Sequence, residues 1–313
     1  MSNGATELLG NAFADGKTKV SLVLSGGADL AVFFQLGAIN ILHDHLGMRR
    51  EKLYMIAGGS GGAISGLLTA AGVNSDKPSL VPSVEEVLKE DKGEKELFER
   101  LGIYSQDGVV AHIRNMIGDG YAHFRDLPVD LRIASTMVFP FIKKVVFSRE
   151  NCHLHGREVT TFDAMKCSIT VPALYTPVKL GDGALNRSYH LDGEIFLPTP
   201  VEEARDSDVM VLVSVYGPFK GFIPVLNLQA RLENRYNSLR KHEMNRRIEK
   251  LRKHNPKLKV ILIENAPDDY DTATFQKFSM KDVEELKAAG RRAAWKCEFY
   301  PEGGVRQPLL AGF

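Results

Sequence analysis

The stretch of this sequence best suited to chemistry is a serine set among glycines, Gly58-Gly59-Ser60-Gly61-Gly62. Gly58, Ser60 and Gly62 make the pattern G-x-S-x-G. A short apolar run, Leu53–Ala57, precedes it and predicts a buried strand. Gly61–Ala71 follows and predicts a helix. A strand, a sharp turn and a helix in that order form a nucleophile elbow, which lifts a serine Oγ clear of the sheet edge. Gly58 and Gly62 serve such a turn because it leaves little room for a Cβ. The helix N-terminus behind the serine favours negative charge developing there. A plain glycine-rich turn with a helix-capping serine has the same local pattern, so the supports around Ser60 decide between the two.

A nucleophilic serine needs a base, hydrogen-bond donors for an oxyanion, and a shaped pocket. Candidate donors lie in Ser25-Gly26-Gly27-Ala28, directly after the apolar run Lys19–Leu24. Loops after parallel strands emerge at one edge of a sheet. Bare amides of Gly26, Gly27 and Ala28 there can face a carbonyl oxygen. A phosphate-binding loop is the weaker alternative, because neither G-x-G-x-x-G nor G-x-x-x-x-G-K-[ST] is present. The base is less evident. A Ser–acid–His order would need a histidine late in the chain, but His242 and His254 fall in a strongly basic helix-forming segment. The better candidate is Asp192 in His190-Leu191-Asp192-Gly193-Glu194. A partly desolvated carboxylate has a raised pKa and can accept a serine proton directly. Taken alone, Asp192-Gly193 reads better as a simple turn.

The surrounding pattern predicts the elements that hold these residues. Lys19–Leu24 is a strand, and Ala31–Leu46 a helix with Val32, Leu36, Ile39, Leu42 and Leu46 on one face. With the elbow, the opening is β-loop-α-β-loop-α, the mark of a parallel sheet covered by helices. Further on, Val84–Leu101 and Val109–Ile117 predict helices within an insertion at the sheet edge. Val129–Met137 and Lys143–Ser148 predict a hairpin around Phe139-Pro140, and Thr161–Ser168 a short helix. Asp208–Tyr216 is a buried strand by its continuous apolar run. Leu226–His254 is a long helix, Lys257–Glu264 a strand and Met280–Cys297 a last helix. Residues 1–17 are polar and Gly/Ala-rich and predict a flexible N-terminal arm. Residues 18–313 are expected to form a single α/β domain with three α/β/α layers and a mainly parallel central sheet.

The totals exclude several classes. Of 313 residues, 44% are hydrophobic and 25% charged, a globular balance. The net charge of +1 gives no global attraction to a polyanion. Cys152, Cys167 and Cys297 are an odd, widely spaced set that predicts free thiols and no zinc site. No Sec-type signal peptide and no membrane span are expected. The anticipated location is therefore cytoplasmic. No metal or other cofactor is needed by the chemistry outlined.

In their order along the chain, these features resemble the patatin-like phospholipase family. Leu24–Gly37 is similar to that family's glycine-rich oxyanion segment with its following Gln-x-Gly. Cys167–Val178 is similar to its Ala/Ser-x-x-x-Pro-x-x-Phe-x-Pro-Val segment, which lies just ahead of the Asp-Gly and is followed here by Pro198 and Pro200. The likeness runs from about residue 18 to 300. It implies a Ser60–Asp192 dyad, an oxyanion hole at Gly26, Gly27 and Ala28, and hydrolysis of acyl esters in lipids of the phospholipase A type through an acyl-serine. The loop departs from the family's three glycines and basic residue: Gly26-Gly27-Ala28-Asp29-Leu30-Ala31 has neither, and runs one residue longer before Gln35. Loss of one oxyanion donor costs on the order of 3 kcal/mol, so a catalytically silent relative acting as a binding or regulatory module is the second expectation. A Ser–His–Asp hydrolase is the third.

Segment 231–259 carries eleven Lys and Arg against Glu233, Glu243 and Glu249, a local charge of +8. A solvated face with i,i+4 pairs such as Glu243–Arg247 and Glu249–Lys253 accounts for it. Peripheral contact with an anionic membrane is the sharper alternative. Tyr236 is too little aromatic interleaving for a nucleic-acid partner.

Overall fold

The computed structural model describes residues 4–73, 103–182, 186–195, 199–215, 224–265 and 280–300. The helix expected over Val84–Leu101 and the Pro198 position lie outside these residues.

Strands β1 (Val20–Leu24), β2 (Met55–Gly59), β3 (Leu131–Phe139) and β4 (Lys143–Phe147) come first. A two-residue pair, β5 (His153–Leu154) and β6 (Arg157–Glu158), stands apart. Then follow β7 (Val178–Asp182), β8 (Asn186–Leu191), β9 (Val209–Ser214), β10 (Lys259–Glu264) and β11 (Glu298–Phe299). The helices are α1 (Gly4–Asp15), α2 (Ala28–Asp44), α3 (Gly61–Ala71), α4 (Asp107–Ile117), α5 (Thr161–Ser168), α6 (Pro224–His254) and α7 (Met280–Trp295). The main sheet is mixed. Its centre, β10-β9-β1-β2-β3, is parallel, and β11, β4, β8 and β7 join antiparallel at the margins.

Alternation along the strands builds a layer on each face. Leu22, Leu24, Val211, Val213 and Ile261 point into the larger core with α1, α2, α3, α5 and α7. Val23, Met55, Ala57, Met210 and Leu212 point the other way, onto Met244, Ile248 and Leu251 of α6. The predicted three layers are thus present, with α6 covering the second face. Helices α2 and α7 cross with almost no space between backbones. A Cβ on Gly290 would lie 1.9 Å from the Phe34 carbonyl oxygen, and one on Gly37 2.1 Å from that of Lys287.

Two expectations change. The N-terminal segment is a helix over Gly4–Asp15, not a loose arm, because Leu9 and Phe13 share a face and bury in the main core. The insertion does not stay at the edge: Val109 and Ile113 of α4 also enter that core.

Register along β3 is what positions the site. Ala134 pairs with Gly59 of β2 on one side and Val146 of β4 on the other. Thr136 pairs with Lys144 of β4 and, on its other side, Leu191 of β8. A strand has only two sides, so β2 and β8 lie along the same side of β3. They run toward each other and stop one residue apart, opposite Ser135. The residue after each stop is Ser60 or Asp192.

Candidate active site

Ser60 occupies the joint between β2 and α3 with φ 53° and ψ −129°. Such a dihedral pair is unfavourable for a residue with a Cβ and persists only where packing enforces it. Here the glycines on either side permit it. A Cβ on Gly58 would sit 2.1 Å from the Gly62 carbonyl oxygen, and one on Gly62 2.4 Å from that of Leu24. Both residues are therefore required as glycine for close approach, as the spacing predicts. Ser60 is only 9% exposed.

The amide of Ser60 donates to the Ser168 hydroxyl at 2.9 Å. Ser168 ends α5, which starts with a capping box made by Thr160 and Asp163. The Ser168 carbonyl accepts from the Gly193 amide at 3.0 Å, and the Thr170 carbonyl from the Asp192 amide at 2.8 Å. One short segment thus fixes both the serine turn and the Asp192-Gly193 turn. It is the Ser-x-x-x-Pro segment of the sequence, whose hydroxyl role the pattern alone did not disclose.

Asp192 is buried. Its Oδ1 accepts from the Glu194 amide at 2.8 Å, an Asx turn. Its Oδ2 is buried and receives no full hydrogen bond. Burial pushes the Asp192 pKa up to about 6; the Ser60 hydroxyl and the Glu194 amide work in the opposite direction. The turn reading and the chemical reading of Asp192 are therefore compatible, since each uses a different oxygen.

The glycine loop leaves β1 beside this pair. Gly27 has φ 140° and Ala28 φ 52°, and the first turn of α2 follows. Gln35 of that helix donates to the Ser25 carbonyl at 2.6 Å and accepts from the Ser65 hydroxyl on α3. This locks the loop to the helix behind Ser60. The amides of Gly26, Gly27 and Ala28 have no hydrogen-bond partner among the described residues, and neither has that of Gly61. A Cβ on Gly26 would lie 2.8 Å from the Ser60 Cβ, which puts the loop against the serine. Ala28 takes the left-handed backbone that a third glycine would adopt without cost.

A second carboxylate also reaches this point. Glu194 is 1% exposed, and its Oε2 lies 2.8 Å from where a Gly26 Cβ would be. Arg240 of α6 forms a direct ion pair with it. The guanidinium offsets a negative charge that would otherwise oppose an oxyanion beside Gly26. Sequence reasoning did not single out either residue. Arg240 is one of many cations on its helix, and Glu194 merely follows the Asp-Gly pair in sequence.

Among the described residues no histidine hydrogen-bonds Ser60 or Asp192. His190 is fully buried, with its ring nitrogens 3.2 Å from the Ser135 hydroxyl and 2.9 Å from that of Ser188. Burial holds its pKa down at about 3, so it is neutral. Several cations of the basic segment are tied to acids. Lys241 pairs with Glu264 at 2.6 Å, Arg247 with Glu202 and Glu243, and Arg252 with Glu249. The expected Glu243–Arg247 pair forms, while Glu249 pairs with Arg252 instead of Lys253.

The sequence model of the patatin-like phospholipase family matches residues 22–205, more than half of the chain. No curated protein matches the sequence. Among solved structures, the chain is similar to human GIVD cytosolic phospholipase A2, at 12% identity and a TM-score of 0.50, over 93% of this chain and 63% of that one. It is also similar to VipD from Legionella pneumophila, at 12% identity and a TM-score of 0.43, over 91% and 68%. The type III effector ExoU aligns at 16% identity and a TM-score of 0.43, over 89% and 52%. The chain thus spans about half of the ExoU chain and less than two thirds of the human enzyme.

Proposed function

Because the chain belongs to the patatin-like phospholipase family, we propose that it is a lipid acyl hydrolase of the phospholipase A type working through a Ser60–Asp192 dyad. The observation that carries this reading is the convergence of β2 and β8 on one side of β3, which brings Ser60 and a buried Asp192 with an unused oxygen to the same level.

The chemistry follows from the groups present. Above pH 6 Asp192 is ionised, and its Oδ2 accepts the Ser60 proton as Oγ attacks the ester carbonyl carbon. The oxyanion so formed is met by amides of the Gly26, Gly27 and Ala28 loop, with the N-terminus of α3 behind it. Collapse breaks the bond to the leaving alcohol, which takes the proton back from Asp192. Water then attacks the acyl-serine and gives a proton to Asp192; collapse breaks the bond from the acyl carbon to Ser60 Oγ, Oγ takes that proton back, and the free acid departs. The hydroxyl, carboxylate and amides suffice for every proton and charge in this sequence.

A fluorophosphonate probe tests the reading. It is expected to label Ser60 in the wild type and not in Ser60→Ala. Mass spectrometry of a mixed lipid extract should show acyl release by the wild type alone. An unlabelled protein, tested with and without anionic vesicles, would favour the second reading, a silent relative used as a binding module. The positive φ of Ala28 in the oxyanion loop is the feature that favours that second reading. No histidine stands where the Ser–His–Asp alternative needs one among the described residues.

Acyl lipid is the implied substrate, and peripheral contact with an anionic surface accompanies it. Among the described side chains of segment 231–259, the exposed Lys250, Lys253, Lys257 and Lys259 are the cations without an ion pair. Among the described residues no helix is long and apolar enough to cross a membrane.

A further inference from the structure

The two most exposed large apolar side chains of the described structure are adjacent in the chain. Phe141 is 73% and Ile142 68% exposed, and they are neighbours at the tip of the β3–β4 hairpin. Adjacent exposed Phe and Ile are costly in water, and they mark a contact surface more often than chance.

The tip has a defined position. Strand β3 continues from the level of Ser60, opposite Ser135, to Phe139. Four residues of strand carry it about 13 Å past that level. It projects at the sheet edge where the Gly26 loop and the Ser60 turn also emerge. The base of the hairpin is stiff: Phe139 meets Tyr189 of β8 edge-on with ring centroids 6.1 Å apart, and the Arg187 guanidinium lies 5.8 Å from the Tyr189 ring centroid.

Its charge is one-signed. No acidic residue occurs between Asp130 and Glu150. Lys143 follows Ile142 directly, is exposed, and has no ion partner among the described residues. Lys144 pairs with Glu202 at 3.3 Å. Two large apolar groups followed by a lysine without an acidic partner fit the boundary of an anionic bilayer, where rings and branched chains enter the acyl region and ammonium groups meet phosphates.

We propose that the β3–β4 hairpin tip, Phe141 and Ile142 with Lys143, is the element that docks this chain on an anionic lipid bilayer. It brings the edge carrying Ser60 to the membrane surface. The docking rests on the lipid-hydrolase reading only in taking the bilayer as the source of substrate. Arg240, Lys241 and Arg247 of α6 are bound to internal acids, so the hairpin is the better placed anchor.

Sedimentation of the full chain with vesicles tests this. Wild type is expected to sediment with phosphatidylcholine–phosphatidylserine vesicles and much less with phosphatidylcholine alone. The Phe141→Asp/Ile142→Asp variant should bind the anionic vesicles roughly tenfold more weakly. Lys143→Gln should lose about fivefold on anionic vesicles and nothing on neutral ones. All variants should keep fluorophosphonate labelling of Ser60 and hydrolysis of a water-soluble short-chain ester. Equal sedimentation of wild type and the double variant, or no sedimentation of the wild type, overturns the proposal. So does a wild-type dimer that the double variant makes monomeric with vesicle binding unchanged, since the tip then serves a second copy of the chain. Vesicle binding that follows the predicted order in a protein with no labelling supports the anchor while the hydrolase reading fails.

Discussion

The hydroxyl of Ser168 receives the amide of Ser60 at 2.9 Å, while the carbonyl of the same residue receives the amide of Gly193. One buried residue thus holds the two turns that carry the candidate nucleophile and base. Ser168→Ala removes the acceptor and leaves the Ser60 amide unsatisfied. Stability should fall by about 1–3 kcal/mol, measured by denaturant unfolding. Ester hydrolysis should fall at least tenfold in kcat with little change in KM, because the turn is loosened and the substrate contacts are not touched.

On the proposed mechanism, Asp192 sets the pH profile. Its pKa is raised from 3.8 to about 6 by burial, and it acts as a base only when ionised. The rate of a water-soluble ester should rise about tenfold per pH unit below 6 and level off above it. A profile flat from pH 5 to 8 would remove Asp192 from the proton transfer.

The same shift makes a stability prediction of opposite sense. A carboxyl whose folded pKa lies above its unfolded value binds more protons when folded, so stability falls as pH rises from about 4 to 6. The displacement of about two units corresponds to about 3 kcal/mol. Asp192→Asn keeps the Oδ1 that accepts the Glu194 amide and abolishes the charge. It should be inactive, more stable than wild type above pH 6, and close to it near pH 4. Parallel urea titrations at the two pH values check this.

Glu194 and Arg240 form a largely desolvated ion pair beside the Gly26 loop. Removing one member takes a direct counter-charge from the other in a buried setting, so Glu194→Gln and Arg240→Gln should each cost about 3–5 kcal/mol. The double variant should cost clearly less than the sum. A double-mutant cycle with no coupling would mean that the pair holds nothing together.

Gly26→Ala places a methyl 2.8 Å from the Ser60 Cβ and from the Glu194 carboxylate. The loop or the serine must move. Hydrolysis should drop by about a hundredfold, the scale of losing an oxyanion donor, and fluorophosphonate labelling should slow in step.

Much of this architecture is legible in the sequence, for identifiable reasons. Strands such as Val209–Ser214 are buried on both faces and appear as unbroken apolar runs. The apolar face of Val32, Leu36, Ile39 and Leu42 marks the helix Ala28–Asp44 by spacing alone. The N-terminal helix was missed because it buries few large side chains, chiefly Leu9 and Phe13, within a polar stretch. The Ser60 turn and Asp192 could be nominated because local residues, the flanking glycines, make their geometry. Ser168 and the Glu194–Arg240 pair could not. Their roles depend on which strands meet, and a serine, a glutamate and an arginine look alike in sequence wherever they point.

The end-on meeting of β2 and β8 has a consequence in time. As the chain is made, Ser60 and its glycine turn are complete long before Asp192 exists, and the Glu194 charge waits longer still for Arg240. On the proposed reading, a growing chain carries the nucleophile without its base, and hydrolysis waits until the strand running back along β3 has been made.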